Sequence, residues 1–241
     1  MKQFTAEEML TRWEWRREIK NLMGRYSTAY TSMHQADNYI NYFSKRPDVC
    51  LAVNSGYYIG AAAVAGYYEG LRQEITLSSR LIQKKYPADL GDLSDEEVYG
   101  VGLMVYKPVD TQVIEIASDG ETAKGLWAVR GNYSKLTSCG PVGFWNYGWM
   151  AADFVREEDG WKIWHLQMLD EIDHQEGCKW YGEPEHFPEV PEFAEMKDFK
   201  MPEPTIKTVV RECYHGNRPF TPCPEVPVPY DTFADTFSYG L

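Results

Sequence analysis

Apolar positions along the chain follow one period in its first third and another beyond it. Between residues 5 and 34, Met9, Trp13, Arg16, Ile19, Leu22, Met23, Tyr26, Ala29, Tyr30 and Met33 recur at spacings of three and four, the pattern of a helix with a buried face. Thr5 followed by Glu8 supplies a capping-box start. A short helix is expected from Asp37 through Tyr39, Ile40 and Phe43, ending near Pro47. The run "VCLAV" (49–53), bounded by Pro47 and Asn54-Ser55-Gly56, reads as a strand. Helical spacing returns from about Gly60 until Pro87 stops it, and the acidic stretch 88–98 reads as a solvated loop or short helix.

From Tyr99 the texture is that of strands: "YGVGLMVYKP", "QVIEIASDG", "TAKGLWAVRGNY", "GFWNYGWMAADFVREEDG" and "WKIWHLQMLDEI". Asp119-Gly120 and Asp159-Gly160 punctuate neighbouring runs as hairpin turns do. Helices first and an antiparallel meander afterwards predict an α+β fold. Beyond Asp173 proline and aromatic residues dominate. Pro breaks helix and central strand alike, yet a free disordered tail lacks so many rings. The chain therefore divides into a domain at 1–173 and an extended arm at 174–241, laid over its own domain or a neighbouring subunit.

Composition narrows the partners. The chain has 241 residues and a formal net charge of −12, with no clustered Lys and Arg, which argues against nucleic acid and anionic membranes. No apolar run is long enough to span a bilayer, and the charged, amphipathic N-terminus lacks the apolar region of a secretion signal, so a cytoplasmic protein is expected. Five cysteines without a CxxC point to reduced structural thiols rather than a disulfide framework or zinc ribbon. Aromatic residues make up 15%, a share suited to aromatic-lined surfaces inside or at an interface. Nucleotide and esterase motifs (P-loop, GxGxxG, GxSxG) are missing from the sequence.

The long first helix with "YSTAY" (26–30), the short strand before "GYYIGAAAVAGYY" (56–68), and then "DGETAKGLW" and "FVREEDGWKIWHL" resemble the NTF2-like superfamily in its SnoaL-like branch. That group includes scytalone dehydratase, ketosteroid isomerase, polyketide cyclases and the bile-acid dehydratase. The likeness covers roughly residues 10–170 and implies a cone-shaped, curved antiparallel sheet wrapped by the N-terminal helices, an α+β barrel with a hydrophobic pocket at its wide end. The arm at 174–241 departs from the minimal pattern, and in size resembles the longer lignin-derived diaryl formaldehyde lyases. The resemblance implies a cofactor-independent lyase of the dehydratase type, acting by acid–base catalysis on an apolar aromatic or polycyclic small molecule. Formaldehyde-releasing carbon–carbon cleavage, double-bond isomerisation and a non-catalytic binding or assembly role stand as alternatives. A homodimer or homotrimer is expected, with no metal and no cofactor.

His165 is the leading candidate base, because strict alternation puts it on one sheet face with Trp161, Ile163 and Gln167. Tyr26 and Tyr30, four apart on one helix face, are candidates to polarise a carbonyl or assist a leaving group. In the dehydratases that the chain resembles, a tyrosine and an aspartate of this helix point into the pocket. Here Tyr30 stands where many relatives have Asp. Arg130 and Lys107 are candidates for stabilising an enolate. Leu126, Ala128 and Arg130 share a face opposite Trp127 and Val129, and the sequence does not choose which is concave. Trp127, Asn146, Tyr147, Trp149 and Tyr106 are the expected substrate-binding residues. The face with Trp145, Tyr147, Trp149 and Asp153 suits a flat apolar substrate or a subunit interface. The run Asp170-Glu171-Ile172-Asp173-His174 reads as a solvated turn rather than a metal site, Asp37 as a helix N-cap and His34 as a pocket rim or helix end. Convergence of His165, Tyr30 and Arg130 on one enclosed cavity would favour catalysis; their scatter over exposed faces would favour binding.

Overall fold

The computed structural model describes residues 3–178, 187–220 and 223–241. The parts of the expected arm at 179–186 and 221–222 lie outside the described residues. Helix α1 (Ala6–Thr31) starts at the Thr5/Glu8 capping box, with both reciprocal hydrogen bonds made. Helix α2 (Gln35–Tyr42) follows, then the hairpin of β1 (Cys50–Val53) and β2 (Gly56–Ile59), and the long α3 (Ala61–Lys85). Two single turns, α4 (Pro87–Leu90) and α5 (Asp95–Val98), lead to the meander of β3 (Val105–Tyr106), β4 (Val109–Ile116), β5 (Thr122–Thr137), β6 (Gly140–Glu157) and β7 (Gly160–Gln175). Gly120 and Gly160 hold positive φ at the two anticipated Asp-Gly turns, where a side chain would be strained. Only 105–106 of the run expected as a strand from Tyr99 is one. Gly100 and Gly102, both at positive φ, turn the chain there instead.

The sheet order is β3-β5-β6-β7-β1-β2-β8, with β4 also on β5 and β8 formed by Ile206–Lys207. All pairings are antiparallel except β1 on β7. The sheet is large, curved and open rather than a closed barrel. Its concave face carries Trp127, Val129, Met150, Ala152, Phe154, Ile163, Leu166 and Met168, which pack with Ile19, Met23 and Tyr26 of α1 and Val64 and Tyr68 of α3. Gly131 permits β3 to cross close over β5: a Cβ there would collide with the Tyr106 carbonyl oxygen and the Lys107 backbone. Gly131→Ala is expected to cost about 1–3 kcal/mol, read as a lower midpoint in urea unfolding.

Two β-bulges in β7 set which side chains face the core. Asp153 pairs with His165 but Phe154 with Ile163, so Trp164 is extra; Gly148 pairs with Asp170 but Tyr147 with Ile172, so Glu171 is extra. Each extra residue shifts the alternation by one. Trp161 and Ile163 are therefore concave, His165, Gln167 and Leu169 convex, and Asp170 and Asp173 both concave.

The segment 223–241 lies against the convex face. Tyr230 and Asp231 accept backbone hydrogen bonds from Ser118 and Asp119 at 3.0 and 3.2 Å. Phe237 and Tyr239 pack on Leu126, Trp149 and Ala151. Beneath them Lys124 and Asp153, both with no exposed side chain, form an ion pair. Asp153 also accepts from His165 Nδ1 at 2.8 Å, from the Tyr239 amide at 2.8 Å and from the Ser238 hydroxyl at 3.3 Å. The Lys124 ammonium lies 4.4–4.9 Å from the ring centres of Phe233, Phe237 and Tyr239.

Candidate active site

On the concave side, between α1, α3 and the far ends of β5 and β7, a cavity of about 230 Å³ remains. Its apolar wall includes Met33, Leu71, Ile75, Leu103, Val105 and Leu136; its polar lining includes Tyr30, Gln35, Glu74, Lys107, Tyr133 and Asp170. The Lys107 ammonium sits 3.6 Å from Asp170 and 5.7 Å from the Tyr30 ring centre. Burial, the largest single influence, would lower the Lys107 pKa, but Asp170, Tyr30 and Asp173 together outweigh it and hold the ammonium above its ordinary value. Burial pushes the Tyr30 phenol up, partly opposed by Lys107, so its hydroxyl stays a donor. Tyr133 donates its hydroxyl to Asp173, with 2.9 and 3.0 Å to the two carboxylate oxygens. Although Asp173 keeps an exposed edge, partial desolvation, and then the charge of Asp170, raises its carboxyl from its ordinary value, against the Tyr133 hydrogen bond and the charges of Lys107 and Lys135.

The backbone of Asp170 is fixed from the β1–β2 turn. Asn54 accepts from the Asp170 amide at 2.8 Å and donates to its carbonyl at 2.7 Å, leaving the carboxylate free of this task. Gln35 is buried with its side-chain oxygen unpartnered, facing a cavity that could supply a hydroxyl donor. Asn146, fully buried on the concave row opposite Asp173, has neither amide atom hydrogen-bonded. Towards solvent, Lys135 pairs with Glu74 at 3.1 Å.

Of the residues singled out from the sequence, Tyr30 and Lys107 line this cavity. Tyr26 lies beside it, 1% exposed, sharing a 2.8 Å hydrogen bond with the Tyr68 hydroxyl and donating to the Met168 sulfur. His165 does not reach it: the bulge at Trp164 turns it to the convex face, under Ser238 and Gly240. Arg130 is convex and exposed, 3.4 Å from Asp110. Tyr147 and Trp149 line an outer groove, Tyr106 is exposed, and Trp127 is sealed in the core against Phe154. The aromatic row of β6 is thus the outer one, and Asn146 belongs to the inner one. His165, Tyr30 and Arg130 do not converge.

A different set does, and both of its carboxyl groups come from the supposed solvated turn. β7 runs on through Gln175, and its second bulge brings Asp170 and Asp173 to one face, where period-two alternation separates them. Tyr133 carried no signal beyond its place in a strand. Asp37 is not an N-cap: it sits in the first turn of α2, accepts from His34 and pairs with Arg72, and its carboxyl is lowered chiefly by the His34 hydrogen bond. His34 stays exposed at the helix start. Among the described residues, no group of three or more His, Cys, Asp or Glu is arranged to hold a metal ion, and no helix is long and apolar enough to cross a membrane.

No protein-family model matches the chain, and no curated protein does. Solved structures do. A provisionally assigned scytalone dehydratase from Novosphingobium aromaticivorans superposes with a TM-score of 0.50 at 14% identity, over 71% of this chain and 93% of that one. A type 2 hexachlorocyclohexane dehydrochlorinase, LinA, gives 0.46 at 14% identity over 73% and 97%. An NTF2-like protein with a cystatin-like fold, also from N. aromaticivorans, gives 0.41 at 18% over 68% and 86%. Identities of this size speak for the fold alone. The chain shares the α+β fold of the first of these, helices against a large curved antiparallel sheet.

Proposed function

We propose that the concave cavity is the active site of a cofactor-independent lyase of the dehydratase type. One observation carries the reading: Tyr30, Lys107, Tyr133 and Asp170 line one partly apolar cavity, and Asp173 stands beside it on the Tyr133 hydroxyl, so that two carboxyl groups meet in unlike surroundings. Asp170 faces an ammonium, whereas Asp173 stands at the open side, where desolvation and the charge of Asp170 favour its protonated form over the opposing pull of Tyr133, Lys107 and Lys135. Carboxyl pairs set apart in this way divide base and acid roles. Asp170 would take a carbon-bound proton, and Lys107 and Tyr30 would stabilise the oxyanion of the resulting enolate. The electron pair then forms the double bond as the carbon–oxygen bond breaks. Asp173, steadied by Tyr133, delivers its proton to the departing hydroxyl, which leaves as water.

Engineered cavities of about 150 Å³ hold a benzene ring, so 230 Å³ suits one substituted ring better than a polycycle. The unpartnered Gln35 oxygen suits a substrate hydroxyl.

The test is product analysis by mass spectrometry against single-ring β-hydroxy ketones, with diaryl propanediols alongside. Loss of water supports the reading. Release of formaldehyde would replace it with carbon–carbon cleavage, and saturable binding without turnover would replace it with a binding protein. The pH profile adds a second check. Because the Asp173 carboxyl is raised, turnover should fall as pH rises through its pKa, and Asp173→Asn should abolish that alkaline limb along with most activity. An unchanged limb in the variant would remove Asp173 as the acid.

A further inference from the structure

The outer face of the sheet holds a second recess, separate from the cavity and unused by the proposed chemistry. It is an open groove of about 580 Å³, bounded by Tyr147, Trp149, Phe220, Glu171 and the Asp110/Arg130 pair. Glu171 is the extra residue of the second β7 bulge, and the bulge aims its side chain outward to this groove. Only 1% of that side chain is exposed. One carboxylate oxygen accepts from Arg211 Nε at 2.8 Å; the other is buried without a hydrogen-bond partner. A buried carboxylate oxygen left in this state is costly unless something donates to it. Across the groove Thr111 holds φ at 50°, a strained value for a β-branched residue, within the irregular stretch of β4 that begins at Asp110.

We propose that this groove binds the protonated amino group of a small aromatic amine. The unpartnered Glu171 oxygen requires a donor, and an ammonium adds the attraction of opposite charges to the charge-assisted bond that any donor would make to a carboxylate. The ring faces of Trp149, Tyr147 and Phe220 attract a cation and stack on a flat body. Arg130 does not oppose this, because it is exposed and neutralised by Asp110. The chain's net charge of −12 enriches cations at the surface.

Benzylammonium, with benzyl alcohol as the uncharged counterpart of the same shape, tests the proposal by saturation-transfer NMR and titration calorimetry on the full chain. Saturable binding of benzylammonium is expected, at least tenfold weaker for the alcohol and tenfold weaker in Glu171→Gln. Tyr30→Phe, which alters only the concave cavity, should leave it unchanged. Should Glu171→Gln fail to fold, Phe220→Ala at the exposed rim reads the same site and should weaken binding. Equal affinity for the alcohol, undiminished binding in Glu171→Gln or Phe220→Ala, loss in Tyr30→Phe, or no saturation would each overturn it.

Discussion

Asp170→Asn is expected to lower turnover by about a hundredfold to ten-thousandfold, the usual contribution of a positioned general base, while leaving the fold intact. The fold should survive because Asn54 grips the Asp170 main chain, through its amide and its carbonyl, and does not touch the carboxylate. Lys107 should report the change. Only its neighbours' charges, Asp170 first, hold its pKa up against burial, so in the variant the ammonium should titrate at lower pH. Stopped-assay kinetics give the first quantity and NMR of the labelled lysine the second. Unchanged turnover with an altered Lys107 titration would leave the pair structural and strip Asp170 of its role as base.

The second large effect lies on the other side of the sheet. Asp153→Ala should destabilise the protein by about 3–5 kcal/mol, the cost of removing one partner from a buried ion pair. Asp153 accepts from the Lys124 ammonium, from His165, from Ser238 and from the Tyr239 amide. Burial already lowers the Lys124 pKa even with Asp153 beside it, and without Asp153 only the faces of the surrounding rings oppose that burial. The folded variant would then bind fewer protons than its unfolded chain, so its stability should rise with pH. The deficit in urea unfolding should accordingly shrink as pH approaches the ordinary lysine value of about 10.4. A deficit below about 1 kcal/mol, or one that grows with pH, would show that the network carries little.

Much of the fold was legible, and the reasons are local. The capping box at Thr5, the break at Pro87 and the Asp-Gly turns are written in neighbouring residues and stand where expected, while the first helix follows its spacing only to Thr31, with Met33 already at positive φ. The site was less legible because its composition depends on counting along β7. Strict alternation assigns His165 to the same face as Ile163, and a single extra residue at Trp164 reverses it. The same device at Glu171 makes Asp170 and Asp173 neighbours across a face. Bulges answer to cross-strand pairing and sheet curvature, which no short window of sequence contains. Arg130 illustrates a different gap. Its partners on the strand were correctly grouped, but which group is concave depends on where the helices pack, and that is decided by Ile19, Met23 and Tyr68 far away in the chain.

The buried network around Asp153 has a consequence for the order of events at the ribosome. Its strand is made long before Ser238 and Tyr239, and until those residues emerge the carboxylate lacks two of its donors and Lys124 lacks its covering rings. The nascent sheet would therefore pass through synthesis with a charged, uncovered back. Products cut short before Ser238 should be recognised and degraded rather than accumulate as half-length domains.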